Sequence, residues 1–454
     1  MAELSVAQRA VLAQMVERLP DRTLKTLSLA VAQMPGEKAR ILSQMLAEEG
    51  VDRKRRAVAF APMMPLFAPR RDGVEGLTFP SAVLPRLWKA ASATAPALLT
   101  TLDDIRLRED DPKVVAVADR YCIAASGVIR DKADVIWPPT LGQEDERDAG
   151  LASLVQCFDL AVLARRALKS LPHWILRPTP DQLAELRLLI RDAGEITPDG
   201  GPRMLEILFA HLADASLVLR LVVHSSRSAS NEGVLSGSEM AVFVNRLLAE
   251  VEARVARVGA FKPTAGVDPG PQIKADITWC AETLAELDMT LQLDPSGEWG
   301  TAARDARVRI NRGLSNTLKS TDKALDRVLP LKRVKTAGRM TREAADLEHP
   351  VPPEAVQTAV ALLTLVGAMR TAAQIFGIES QRSQLVQSAI DRITTFVDLT
   401  IEAVNAGEAE VETEDRALAH VETLAGLLLL IDATEPARTV RRRAAAAGTL
   451  ARTG

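Results

Sequence analysis

Acidic side chains that could hold a metal gather at one place in the chain. Asp103, Asp104, Glu109, Asp110 and Asp111 fall within nine residues, and paired carboxylates on helices are what a magnesium–diphosphate site needs. In Asp103-Asp104-x-x-Leu107, however, the fifth position lacks the third carboxylate, and Arg106 and Arg108 sit inside the cluster. No second acidic motif follows, and few aromatics exist to stabilise a carbocation. Asp110-Asp111-Pro112 instead has the pattern of a helix start. An aspartate N-cap precedes a proline in the first turn, where its missing N–H costs nothing. Capping is the expected role, and neither a metal site nor a cofactor is expected.

The remaining chemistry-bearing residues are scattered. His173, His211, His224, His349 and His420 are never three or four apart, and HExxH is absent, so no helix face offers a His pair to a metal. His224 falls near a helix C-terminus, where an imidazolium interacts well with the dipole, and His211 flanks the Leu208/Leu212 stripe. All five are read as structural. Cys122, Cys157 and Cys280 are odd in number and form no CxxC, which gives neither a disulfide framework nor a zinc ribbon. Cys280 lies in an apolar seam between Ile277 and Leu284, and Cys157 adjoins Phe158. Such sites suppress the thiolate, so both read as small hydrophobes. GxxxxGK[ST] and GxGxxG loops are missing. Gly233 to Gly237 (GVLSG) has the wrong spacing for a nucleophile elbow and no flanking strand. No catalytic residue is assigned.

Charge segregation is the strongest signal. Between Gly300 and Arg342, twelve basic residues face only Asp305, Asp322 and Asp326, a local excess of nine. Arg304, Arg307, Arg309, Arg312, Lys319, Lys332, Arg333 and Lys335 are the candidate contacts to an anionic partner. Arg438 and Arg441-Arg442-Arg443 form a second basic run, a C-terminal tail, whereas Glu402 to Glu435 holds nine acids and only Arg416. Two uses are open. The acidic stretch can neutralise the basic one, within the bundle or across subunits. Alternatively the basic region meets nucleic acid, phospholipid headgroups or an acidic protein. Nucleic acid would be held by phosphate contacts alone, since no helix-turn-helix, zinc finger or aromatic platform is visible.

The elements that must carry these residues are helical. The chain has 454 residues, 47% hydrophobic and 25% charged, with net charge −3. That length exceeds the usual domain of about 100–200 residues, and the charge rules out a wholly cationic protein. Aromatics at 3% disfavour β-sandwiches and base-stacking modules. Helical periodicity dominates and no alternating strand of useful length is found, so an all-α fold is predicted. Residues 1–230 read as short, irregular helices, solenoid-like in character but without a fixed repeat. Ser5 and Gln8 make a capping box, Asp21 caps the second helix, and a third runs from Gly36 to Glu49. Met63 to Pro80 reads as a loop, and helices follow near 81–106, 112–132, 147–170, 180–193 and 203–224.

Residues 231–454 read as a bundle of long antiparallel helices, entered through a Ser/Gly-rich boundary from Ser225 to Ser238. Six segments are predicted, near 237–258, 272–292, 299–329, 353–376, 380–405 and 412–431. Their apolar residues step by four and three, as in Ile273, Ile277, Cys280, Leu284, Leu287 and Leu291, the narrow seam of bundles and coiled coils. The 353–376 segment is apolar nearly all round and belongs at the centre. The basic region 299–342 is a helix followed by a flexible loop from Pro330 to Met340.

The first residues lack the uncharged apolar core of a signal peptide, and the longest apolar stretch, Ala359 to Met369, is too short to span a membrane. A cytoplasmic protein is expected, and its Ala/Arg/Leu-rich composition suits a GC-rich bacterial source. The expected function is that of a helical scaffold or adaptor acting through other proteins, with a homo-oligomer open because such seams can close on a second copy. The alternatives are a binder of nucleic acid or another polyanionic surface through 299–342, and an all-helical enzyme whose site is assembled from distant helices.

Overall fold

The computed structural model describes residues 5–104, 107–141, 143–225, 230–263, 270–335, 341–406 and 411–453. The fold is all-α, 77% helical with two short strands among the described residues. The chain divides into two compact units, Met1–Arg246 and Leu247–Gly454, and the division falls inside the helix Ala241–Ala260. Of the Ser225 to Ser238 stretch, residues 226–229 lie outside the described residues. Among the described residues no helix is long and apolar enough to cross a membrane.

In the first unit, three helices, Val6–Arg18, Asp21–Ala32 and Glu37–Ala59, close over Val16, Leu24, Val31 and Leu46. The capping box forms as the sequence predicts, Gln8 N donating to Ser5 Oγ at 3.2 Å. The third helix does not stop at Gly50 but continues through it to Ala59. A mid-helix glycine costs about 1 kcal/mol, and burying Phe60 and Ala59 offsets it. Phe60 meets Trp88 edge-on at 5.5 Å and Phe158 at 5.0 Å, so a rare aromatic cluster joins the third helix to Val83–Ser92 and Glu144–Leu168.

Two predicted helices are broken where local chemistry demands it. The 81–106 segment stops before Pro96, because a residue preceding proline avoids the helical region. The 203–224 segment divides into Gly200–His211 and Val218–Ser225, since Asp214 caps a new turn by accepting from Ser216 N at 2.9 Å. The loop from Met63 to Pro80 is anchored by Arg70. Its guanidinium donates to Leu212 O at 3.1 Å, beyond the C-terminus of Gly200–His211, and stacks 4.2 Å from the Phe209 ring.

The second unit is built on the predicted seams. Val244, which precedes the unit, and Leu247, Val251, Val255 and Val258 are buried along Ala241–Ala260. Ile273 through Leu291 do the same on Gly270–Thr290 and beyond it. The apolar helix Pro353–Ala368 is central, packed by Gly270–Thr290, Glu298–Val328 and Val411–Leu430. It breaks at Met369 and resumes as Arg370–Ile375. On Glu379–Asn405, Ile393, Val397 and Val404 are buried along the seam together with Leu385, Ala389 and Phe396, while Val386 and Ile390 of the same period are half-buried. Thr400, the one polar slot, is buried and donates to Phe396 O at 2.8 Å. Asp276, fully buried, is neutralised by Arg257 at 2.8 Å, while the Arg254 guanidinium lies 4.0 Å over the Trp279 ring.

The basic region 299–342 departs from expectation. Its helix is Glu298–Val328, ended by Leu329 before Pro330. Within the expected loop, Leu331–Lys335 is a strand that pairs antiparallel with Thr341–Ala345, Arg333 opposite Glu343 and Val334 opposite Arg342, and residues 336–340 lie outside the described residues. Leu331 and Val334 fall on opposite faces, so no apolar alternation announces the strand. Packing on Glu379–Asn405 and the Arg342–Glu402 ion pair at 3.0 Å support it instead. The C-terminal basic tail is likewise a helix, Thr434–Thr453.

Glycine shows how tightly the centre is packed. A Cβ at Gly367 would stand 2.0 Å from Leu430 O, whereas one at Gly426 meets nothing within 4 Å. Gly367→Ala is expected to lower the free energy of urea unfolding by about 1–3 kcal/mol, and Gly426→Ala to raise it by about 0.4–1 kcal/mol.

Candidate anion-binding face

The helix Glu298–Val328 turns Ala303, Ala306, Ile310, Leu314, Leu318, Thr321, Leu325 and Val328 inward. Thr317 is half-buried beside the buried Leu318. That burial leaves Arg312, Lys319, Lys323 and Arg327 exposed. Their spacings of seven, four and four residues put them on one helical face, about 22 Å long at 1.5 Å per residue.

Whether such a row is available depends on its neighbours. Asp322 and Asp326, the acids within reach along the helix, are both taken by Arg392 of Glu379–Asn405, at 2.8 and 2.5 Å. Among the described residues Arg312, Lys319, Lys323 and Arg327 have no ion-pair partner. Asp305 lies two turns before Arg312 on the same face, also exposed.

The eight sequence-derived candidates separate into two groups. Arg307 pairs with Asp288 and donates to Leu284 O at 3.0 Å. Arg309 pairs with Glu252, and that hydrogen bond holds the Glu252 carboxyl below the usual carboxylate range. Lys332 pairs with Glu348 at 2.8 Å. Arg304 donates to Pro295 O at 2.9 Å, while Arg312, Lys319, Arg333 and Lys335 are exposed. Lys323 and Arg327 belong to the basic run but not to the eight. Their 4-residue steps were visible in the sequence, but the bridging role of Arg392 was not.

The acidic stretch meets the basic region at Arg342, through Glu402 at 3.0 Å. Glu412, Glu414 and Asp415 form no ion pair with the basic helix, and Glu410, like Arg106 and Arg339, lies outside the described residues. The acidic stretch also serves other cations: Glu422 pairs with Arg441. Glu435 pairs with Arg438, and Arg443 reaches Asp398.

The other candidate groups have structural partners. Asp111 caps Pro112–Asp131 by accepting from Lys113 N at 2.9 Å, Asp103 binds Arg55, and Asp110 binds Arg108 at 3.1 Å. Burial pushes the thiols of Cys122, Cys157 and Cys280 up to about 12. Among the described residues no group of three or more His, Cys, Asp or Glu is placed to hold a metal. His211 Nε2 donates to Pro62 O at 2.8 Å, and His420 Nε2 to Val328 O at 2.8 Å. His420 thereby fixes the C-terminal end of the basic helix.

Comparison with protein-family models, with curated proteins and with solved structures gives no match.

Burial lowers the pKa of both His211 and His420, against the opposing pull of their backbone hydrogen bonds. The unfolded chain therefore binds more protons, and stability rises with pH through this window. The contribution is whole above about pH 6.5, the unfolded value, and is lost as pH falls below it. Urea midpoints are expected to drop between about pH 7.5 and 5.5. The His211→Gln/His420→Gln variant, which keeps a donor at each site without titrating, should show a smaller drop.

Proposed function

We propose that this chain is a helical adaptor that works by binding, and that the face of Arg312, Lys319, Lys323 and Arg327 docks an acidic segment of a protein partner. The carrying observation is that these four exposed cations, on one helix face, have no ion pair among the described residues. Cations left this way keep their charge available to a partner at short range. The row is single and contains no aromatic side chain for a base to stack on. Residues 247–454 hold 25 Lys and Arg against 28 Asp and Glu, so long-range attraction of a nucleic acid is weak. Exposed Val11, Met15, Leu29 and Met34 on and just after the first two helices support a further protein contact. The reading takes the protein to be cytoplasmic, in keeping with three free, buried thiols.

A labelled peptide with Glu at matching helical spacing, and a labelled single-stranded oligonucleotide, test the reading by fluorescence anisotropy. The peptide is expected to bind and to weaken as salt rises. Exposed charge pairs contribute about 0.2–1 kcal/mol each. The Arg312→Ser/Lys319→Ser/Lys323→Ser/Arg327→Ser variant should therefore lose roughly tenfold or more in affinity, and Arg307→Ser/Arg309→Ser little. Tighter binding of the oligonucleotide, lost in the same fourfold variant, would replace the protein partner with nucleic acid. Binding that survives the fourfold variant would remove this face from the function.

A further inference from the structure

A cavity of about 450 Å³ is lined by the 346–357 segment and by the helices Glu379–Asn405 and Val411–Leu430. That volume falls among ligand pockets of about 300–1,000 Å³. Its apolar lining includes Phe396, Val356, Val351 and Leu347. Much of the polar lining is already committed. Thr400 donates to Phe396 O at 2.8 Å and Thr423 to Ala419 O at 3.1 Å. Asp346 is engaged by His349 at 3.1 Å and by Glu348 N at 3.2 Å.

Arg416, His420 and the Gln357 amide are polar lining groups that retain capacity. Arg416 is exposed, and its Nη2 donates to Leu347 O at 3.0 Å and Thr413 Oγ1 at 3.4 Å. Both are neutral oxygens, and among the described residues no carboxylate lies within ion-pair distance of it. His420 spends Nε2–H on Val328 O, which makes Nδ1 an acceptor, and stands edge-on to Phe396 at 6.1 Å. An uncompensated guanidinium thus lines an apolar cavity that also holds one acceptor nitrogen.

We propose that this cavity binds a small amphipathic monocarboxylate, its carboxylate on Arg416 and its apolar body against Phe396 and Val356. A guanidinium presents paired N–H donors that match a carboxylate. Arg416 is the one Lys or Arg among the lining residues, which suits a ligand carrying one negative charge. A hydroxyl or N–H on the ligand would find its partner in His420 Nδ1. The site shares no residue with the docking face of Glu298–Val328, and the inference stands independently of that function.

The probes are 3-phenylpropanoate and its uncharged isostere 3-phenylpropanamide, titrated by calorimetry into the full chain. The carboxylate is expected to bind with a Kd below about 1 mM, and the amide roughly tenfold more weakly, the equivalent of 1.4 kcal/mol. Arg416→Gln, an exposed change that leaves the core intact, should bring the carboxylate down to the amide's affinity and leave the amide unchanged. Val356→Trp, which fills the cavity from a half-buried position, should abolish binding of both with the melting temperature retained. No binding of the carboxylate, equal affinity for the two probes, wild-type affinity in Arg416→Gln, or binding retained in folded Val356→Trp would each overturn the assignment.

Discussion

The helix Pro353–Ala368 is apolar along most of its length, and from Ala359 to Val366 every residue but Val360 is buried or half-buried, so several of its sides must be covered at once. That constraint organises the second unit. Buried Leu362, Leu363, Leu365 and Val366 project in several directions from one axis, and hydrophobic burial has no other way to be satisfied than a surround of partner helices. Gly367 lets Val411–Leu430 approach to backbone contact. Each surrounding helix needs only a narrow apolar stripe, which frees its outer face for charge. The basic face of Glu298–Val328 is a consequence of that division.

Arginine does much of the remaining positioning. Arg392 spans Asp322 and Asp326, Arg70 ties a loop beyond a helix end, and Arg257 neutralises a fully buried aspartate. A planar fork of donors can serve two acceptors at once, which suits a chain with few aromatic side chains to organise its core. These pairings also decide which cations are left over. On Glu298–Val328, acids from Gly270–Thr290, from Ala241–Ala260 and from the helix itself are drawn into pairs, and among the described residues Arg304, Arg312, Lys319, Lys323 and Arg327 are not.

His420 connects two features that the sequence keeps ninety residues apart. It caps the C-terminal carbonyl of the basic helix and forms part of the wall of the Arg416 cavity. Its neutrality follows from burial, and burial follows from its position on Val411–Leu430 beside Phe396. Neither its partner nor the cavity is implied by an isolated histidine in a helical pattern.

Helix-period patterning is local, because residues three and four apart share a face whatever else the chain does. The all-α fold, the 4-3 seams of Ile273 to Leu291, the central place of Pro353–Ala368 and the caps at Ser5 and Asp111 were therefore legible from the residues alone. The antiparallel pairing of Leu331–Lys335 with Thr341–Ala345 was not, because neither strand has an apolar face and the support comes from Glu379–Asn405. Nor was continuation of the third helix through Gly50, where distant aromatic packing outweighs a local preference. Among the basic residues, sequence showed an excess of charge but not its allocation. Ion pairing depends on distances of a few ångströms between side chains as much as seventy positions apart. Only the tertiary structure could assign Arg307 and Arg309 to partners, give Asp322 and Asp326 to Arg392, and leave Arg312, Lys319, Lys323 and Arg327 facing outward.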